Sequence, residues 1–236
     1  MTGILVRAVP AVELIAAGTV LRPDAVHHPA IDAHWQTAVA ANPKYFNGVI
    51  IVGAGVHVSG ASLIATCHAM QFKDFLYWRH RGKPDWGFVD LFGSAVIRAR
   101  GGEILLGVAG PTTMNAGSAY CVGGFIDQRD CNANGRVDIE ASIARELEEE
   151  TGLNGTTTVR APGTWVTVDQ RVVSIGQVFQ SPADATALRA AILNFSNASV
   201  ERELADVIIV RSIADVSDVR ILPHAAALCA HLLRQT

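Results

Sequence analysis

Hydrophobic positions along the chain follow two periods. Ile31, Trp35 and Val39 recur every fourth residue and predict a helix over residues 29–41, whereas residues 49–58 and 63–72 have the apolar character of strands. A short helix is expected at 73–79. The polar run at 79–87, which carries Gly82 and Pro84, then breaks the pattern. Beyond it, residues 94–99 and 103–108 read as two strands of a hairpin joined at Arg100, Gly101 and Gly102. A longer helix is predicted over 139–151, with Asp138 placed to cap its start and Gly152 placed to end it in a left-handed conformation. Strands at 166–169, 172–179 and 207–210 follow, with a helix around 184–194 and a last helix at 225–234. This mixed order predicts an α/β fold in which residues 1–87 form an N-terminal α+β extension packed on a core domain of residues 88–236.

Composition narrows the picture. With 236 residues, 50% of them hydrophobic and 17% charged, the chain can bury a sizeable core without disulfides or a structural metal. A net charge of −3, spread along the sequence, leaves no broad basic surface for polymeric nucleic acid. Cys67, Cys121, Cys131 and Cys229 show neither a CxxC pair nor histidines at zinc spacing, so they read as reduced, mostly buried thiols. The apolar stretches are too short, or too interrupted by glycine and charge, to cross a bilayer or to serve as a signal peptide. A cytoplasmic location without membrane contact is the expectation. Gly53 and Gly55 lack the third glycine of a dinucleotide fingerprint, which would fall at Val58, and Ser94 and Ser142 lack the glycines of a nucleophile elbow.

The chemistry concentrates in one helix. Glu146, Glu149 and Glu150 stand at i, i+3 and i+4 and share one face, near the negative end of the helix dipole. Mutual repulsion and the dipole each cost on the order of 0.3–1 kcal/mol. A hard divalent ion such as Mg²⁺ or Mn²⁺, completed by phosphate oxygens and water, would offset this; a plain acidic surface would instead leave the carboxylates in solvent.

The run from Arg145 to Leu153 matches REUxEExGU, U being aliphatic, at every specified place, and Val122 to Asp127 resembles the glycine pair and loop that precede it. On these residues the chain resembles the Nudix hydrolase superfamily. The resemblance implies an α/β/α sandwich with a mixed sheet. It also implies that Glu146, Glu149 and Glu150 hold divalent metal and that Arg145 orients a neighbouring carboxylate. A further glutamate from a later loop is expected to hold metal or activate water, with Glu203 the first candidate and Glu201 the second. A homodimer is common among such relatives, although no surface stripe in the sequence demands one.

One departure stands out. The family pattern places a glutamate six residues after the second glycine and eight before the arginine. Counting forward from Gly124 gives Asp130 and counting back from Arg145 gives Val137, so seven residues have been inserted. Asp130, Asp138 and Glu140 are the candidates to replace that glutamate. The inserted loop offers oxygens at Asp130, Asn132, Asn134 and Asp138 with the Arg136 carbonyl, which is the first part of a calcium loop, but Ala141 stands where a bidentate glutamate belongs. The alternative is an Asn-Gly turn followed by an aspartate helix cap, and either way Asp130 is expected to be dispensable for hydrolysis.

Before the glutamate helix, Trp35, residues 43–48, 73–76 and 91–95 resemble the extended N-terminal half of Nudix proteins that hydrolyse UDP-glucose. The resemblance implies a small-molecule nucleotide substrate, namely a nucleoside diphosphate linked to another moiety, with a nucleotide sugar as its expected member. The competing function is a non-catalytic Nudix-like domain that binds a nucleotide or a protein. Trp35, Tyr45, Phe46 and Trp86 are read as core aromatics in preference to base-stacking platforms.

Overall fold

The computed structural model describes residues 3–200 and 202–235. Eleven strands and five α-helices alternate: β1 (Leu5–Val9), β2 (Ala11–Val20), α1 (His28–Ala41), β3 (Val49–Val58), β4 (Ser62–Gln71), α2 (Phe72–His80), β5 (Asp90–Arg98), β6 (Ile104–Ala109), β7 (Ala119–Tyr120), α3 (Ile139–Thr151), β8 (Val159–Arg160), β9 (Thr164–Asp169), β10 (Val172–Gln180), α4 (Ala185–Ala198), β11 (Leu204–Val210) and α5 (Pro223–Leu233). The large sheet has the order β1-β9-β10-β5-β6-β11, with β7 beside β6 and β8 beside β10. It is mixed, because β10 and β5 run parallel while the other pairs are antiparallel.

Central position explains the central strands. All six residues of β6 and seven of nine in β5 are buried, giving the near-continuous apolar runs of strands covered on both faces. On one face Ile143 and Leu147 of α3 and Leu188 and Ile192 of α4 pack over Ala95, Ile97, Leu105 and Ile175. On the other, Leu228, Cys229 and Leu232 of α5 meet Val96, Ile104, Leu106 and Val178. The expected α/β/α sandwich is therefore what the chain forms. The hairpin at residues 100–102 is also present, closed by Gly102 N–H donating to the Ala99 carbonyl at 2.9 Å.

A second sheet, β2-β4-β3, lies against the α3 side through Leu14, Ile51, Leu63 and Cys67. Its opposite face, with Ile50, Val52 and Met70, meets Phe72, Phe75 and Trp78 of α2. The hydrophobic pattern predicts no element in the first twenty residues, yet β1 joins the large sheet beside β9 and β2 forms an edge beside β4. Edge position is the reason: one residue of ten in β2 is buried, so the strand carries no strong alternation. All four cysteines are free thiols. Among the described residues no helix is long and apolar enough to cross a membrane.

Candidate active site

The glutamate helix is fixed at both ends and along its buried face. Asp138 Oδ1 accepts the Ala141 N–H at 3.0 Å, and Gly152 closes the C-terminus at φ 71°. Ile139, Ile143 and Leu147 recur every fourth residue and are buried. The approach to β5 is close: a Cβ on Gly93 would meet Ile143 Cγ1 at 2.4 Å.

This packing turns the glutamates to different places. Glu146 and Glu150 line a cavity of about 840 Å³, which Glu203 enters from the segment before β11. The same three side chains also border a smaller recess of about 230 Å³ that Arg129, Arg145 and Glu149 share. Glu149 does not line the large cavity, and its side chain is 53% exposed. Glu201 lies outside the described residues.

Burial dominates the electrostatics. Glu150 is 7% exposed, and burial raises its carboxyl well above the ordinary range; Glu203 and Glu146 beside it push in the same direction, against one hydrogen bond from the Gly123 N–H. Burial likewise raises Glu146 to about 7, although Arg145 opposes the shift. Glu146 lies directly against the glycine pair, where a Cβ on Gly124 would meet its Oε2 at 2.3 Å. The second glycine is thus what leaves room for a carboxylate.

Arg145 organises the outer side. Its Nη1 donates to Glu146 Oε1 at 2.6 Å and Glu149 Oε2 at 3.1 Å, and its Nη2 to both oxygens of Asp130 at 3.2 Å. Burial works against the guanidinium charge, but Glu146 and Asp130 hold it protonated. Asp130 is 6% exposed and also accepts from Ser142 Oγ at 2.9 Å and the Asp127 N–H at 3.0 Å. Of the three candidates for the displaced glutamate, Asp130 is therefore the one beside Arg145. Asp138 caps α3, and Glu140 pairs with Arg160. This contact gives Asp130 a positioning role to be weighed against the expectation that it is dispensable for hydrolysis.

Of the five loop residues considered as a cation site, Asp130 turns its carboxylate to Arg145 and Asp138 accepts the Ala141 N–H. Asn132 Oδ1 accepts the N–H groups of Asn134 and Arg136, the Arg136 carbonyl accepts the Asn132 N–H, and the Arg136 side chain pairs with Glu13 at 2.8 Å. Asn132 and the Arg136 carbonyl are thereby engaged with the loop's own backbone.

The rest of the cavity was not legible in the sequence. Moving away from the glutamates, Tyr120 lies next to Glu150 and Glu203, bonds Asn115, and is raised by burial and by those two charges. Arg79 Nη2 donates to Asn115 Oδ1 at 2.9 Å. Beyond it stand Lys83, Asp90, Asp169 and His224, with Lys44, Tyr45, Phe72 and Phe125 on the remaining wall. Burial raises Asp90 to about 6 and lowers His224 to about 4. Of the four aromatics singled out in the sequence, Tyr45 lines the cavity, Trp35 packs edge-on to Phe72, Trp86 stacks on His27 and Phe46 is 80% exposed.

The residues present fit a hard divalent cation. Among the described residues no three ligating groups already stand as a closed set, so an ion here would draw on two or three carboxylates and be completed by oxygens of substrate and water. The buried, mutually repelling carboxyls of Glu146 and Glu150 supply the reason for such an ion.

No family model and no curated protein matches the chain. Solved structures do resemble it. The MutT protein from Methanosarcina mazei Go1 is 19% identical, with 62% of this chain and 94% of that one covered and a TM-score of 0.39. A C. elegans Ap4A hydrolase in a binary complex is 16% identical, over 62% and 94% of the two chains, with a TM-score of 0.40. A bifunctional NMN adenylyltransferase/ADP ribose pyrophosphatase from Francisella tularensis, complexed with AMP and Mn ion, is 18% identical, over 68% and 46%, with a TM-score of 0.41. The likeness concerns the fold, and no residue role is carried across from it.

Proposed function

We propose that this chain is a Nudix-type, metal-dependent pyrophosphohydrolase. Its substrate is a nucleoside diphosphate linked to another moiety, with a nucleotide sugar such as UDP-glucose as the leading member. The observation that carries the reading is the joint position of Glu146, Glu150 and Glu203 on the wall of a cavity of about 840 Å³, within the range of roughly 300–1,000 Å³ usual for small-molecule sites. The match from Arg145 to Leu153 supports it, since two of the residues that fill the sequence pattern, Glu146 and Glu150, line this wall.

Hydrolysis adds water across one P–O–P bridge. The water oxygen bonds to phosphorus, its proton passes to a carboxylate, and the bridging oxygen leaves with the electron pair. Glu203, beside Glu146 and Glu150, is the proposed acceptor of that proton. Glu146, Glu149 and Glu150 would hold Mg²⁺ or Mn²⁺, which when bound polarises phosphoryl oxygens and eases ionisation of water. Arg145, fixed by Asp130, sets the orientation of Glu146 and Glu149. Arg79, held by Asn115 on the cavity wall, would donate to phosphate oxygens.

The test is a panel of nucleotide sugars, dinucleotides and nucleoside triphosphates with Mg²⁺ or Mn²⁺, followed by release of monophosphate or phosphate. Metal-dependent turnover of nucleoside diphosphate derivatives, abolished by chelator, is the expected result. No turnover of any member would support a binding domain instead.

A further inference from the structure

The far end of the cavity has a chemistry that the hydrolytic reading does not use. Asp90 opens β5 and is 6% exposed, yet among the described residues its carboxylate accepts no hydrogen bond and forms no ion pair. His224, 9% exposed in the first turn of α5, touches Phe92 edge-on at 5.5 Å, and among the described residues its ring nitrogens have no hydrogen-bonded partner. Both line the cavity, and their polar atoms open onto it instead of standing orphaned in the core, so a ligand there can reach them. Lys83 faces them from a backbone position at φ 58°, unusual for a residue with a side chain, and its N–H is fixed on the Trp78 carbonyl at 3.0 Å.

The kinds of group present select the ligand. An anionic substituent is disfavoured, because Asp90 and Asp169 would repel it. A cationic substituent is disfavoured by Arg79 and Lys83. What remains is a neutral group that can donate to carboxylates and accept from an ammonium or guanidinium at once, and adjacent hydroxyls do both.

We propose that Asp90, Lys83 and His224 form a specificity subsite that binds the hydroxyls of a neutral, polyhydroxylated moiety attached to the diphosphate. The inference rests on the nucleotide-sugar reading and assigns which end of the cavity takes the sugar. Arg79 and Asn115 then lie on the path between this subsite and the glutamates, which is where the diphosphate must run. A site built to bond hydroxyls rejects a substrate lacking them, because its own buried groups are then left unpaired.

The experiment compares UDP-glucose with the methyl ester of UDP, which keeps the diphosphate and lacks the glucosyl hydroxyls, in wild type and Asp90→Asn. The expected result is a loss in kcat/KM for UDP-glucose of about 30-fold or more, with the methyl ester changed less than about threefold. Equal losses on both substrates, or no loss on either, would overturn the proposal. Binding separates this outcome from the hydrolytic reading: melting shifts with UDP-glucose and with UDP are recorded in Ca²⁺ for both proteins. If wild type hydrolyses neither substrate, a larger shift with UDP-glucose than with UDP, lost in Asp90→Asn, still upholds the subsite. Equal shifts in wild type overturn it. Lys83→Gln serves as the second variant, with the same selective loss expected should Asp90→Asn fold poorly.

Discussion

The two ends of the cavity follow opposite electrostatic plans. At one, Glu146, Glu150 and Glu203 crowd together, and burial plus mutual repulsion raises the first two carboxyls. At the other, Arg79 and Lys83 are matched by Asp90 and Asp169 around a neutral histidine. A crowd of anions calls for a cation, whereas a balanced set calls for a neutral partner with hydroxyls. On the proposed reading, one cavity grips both parts of a molecule whose middle is charged and whose end is not.

The sharpest way to break this contrast is to neutralise the crowded end. Glu150→Gln should lower turnover by on the order of 10²–10³ while the metal-free protein melts at an equal or higher temperature, since a repelled buried charge has been removed. Sequence spacing treats the three helix glutamates alike, but position ranks them. Glu149→Gln, which removes the most exposed of the three proposed metal-holding carboxylates, should cost less, roughly tenfold. Equal defects in both variants would show that the ranking is wrong.

Next in size is the brace. Asp130→Ala frees Arg145 and leaves Ser142 without its acceptor, so we expect roughly 10- to 100-fold lower activity and about 1–3 kcal/mol lower stability. Near-normal activity by steady-state assay would return Asp130 to the status of a loop residue.

A pH series sharpens the comparison further. Glu146 titrates near 7 in the fold against 4.5 in an open chain, so its stabilising contribution is complete below about 4.5 and lost as pH rises through about 7. Asp90 acts in the same sense up to about 6. His224, lowered to about 4, acts oppositely, its contribution being present above about 6.5 and lost as pH falls through about 4. Subtracting the wild-type melting curve from that of Glu146→Gln in chelator isolates the glutamate. The difference should grow in favour of the variant between pH 4.5 and 7 and then level off. A flat difference would count against the shift. The smallest effect belongs to the inserted loop, where micromolar calcium should leave the melting temperature unchanged.

Most of the frame could be read from the chain because its signals are local. The α3 boundaries follow from Asp138 and Gly152, and the buried face from Ile139, Ile143 and Leu147. The far end of the cavity could not be read in the same way. Arg79 and Lys83 lie in a polar stretch that resembles any connecting segment, Asp90 precedes the apolar run of β5, and His224 follows a proline near the C-terminus. Their association is made by sheet order, which brings residue 90 beside residue 172 and places α5 over the same face. Asp130 was visible as a counting discrepancy, but only its contact with Arg145 distinguishes it from Asp138 and Glu140.

The inserted loop acquires its meaning from what it touches. Ala16 N–H donates to the Gly135 carbonyl at 2.9 Å, Val137 N–H to the Leu14 carbonyl at 3.0 Å, and Arg136 reaches Glu13, so the loop adds a short rung to β2. Residues that interrupt the pattern ahead of α3 therefore stitch the N-terminal sheet to the start of the glutamate helix. Opening either one frays the other. In native-state hydrogen exchange the amides of Ala16 and Val137 should exchange together with the first turn of α3, as one cooperative unit. Shortening the loop by seven residues would split that unit, letting the early strands exchange at lower free energy than the central strands β5 and β10.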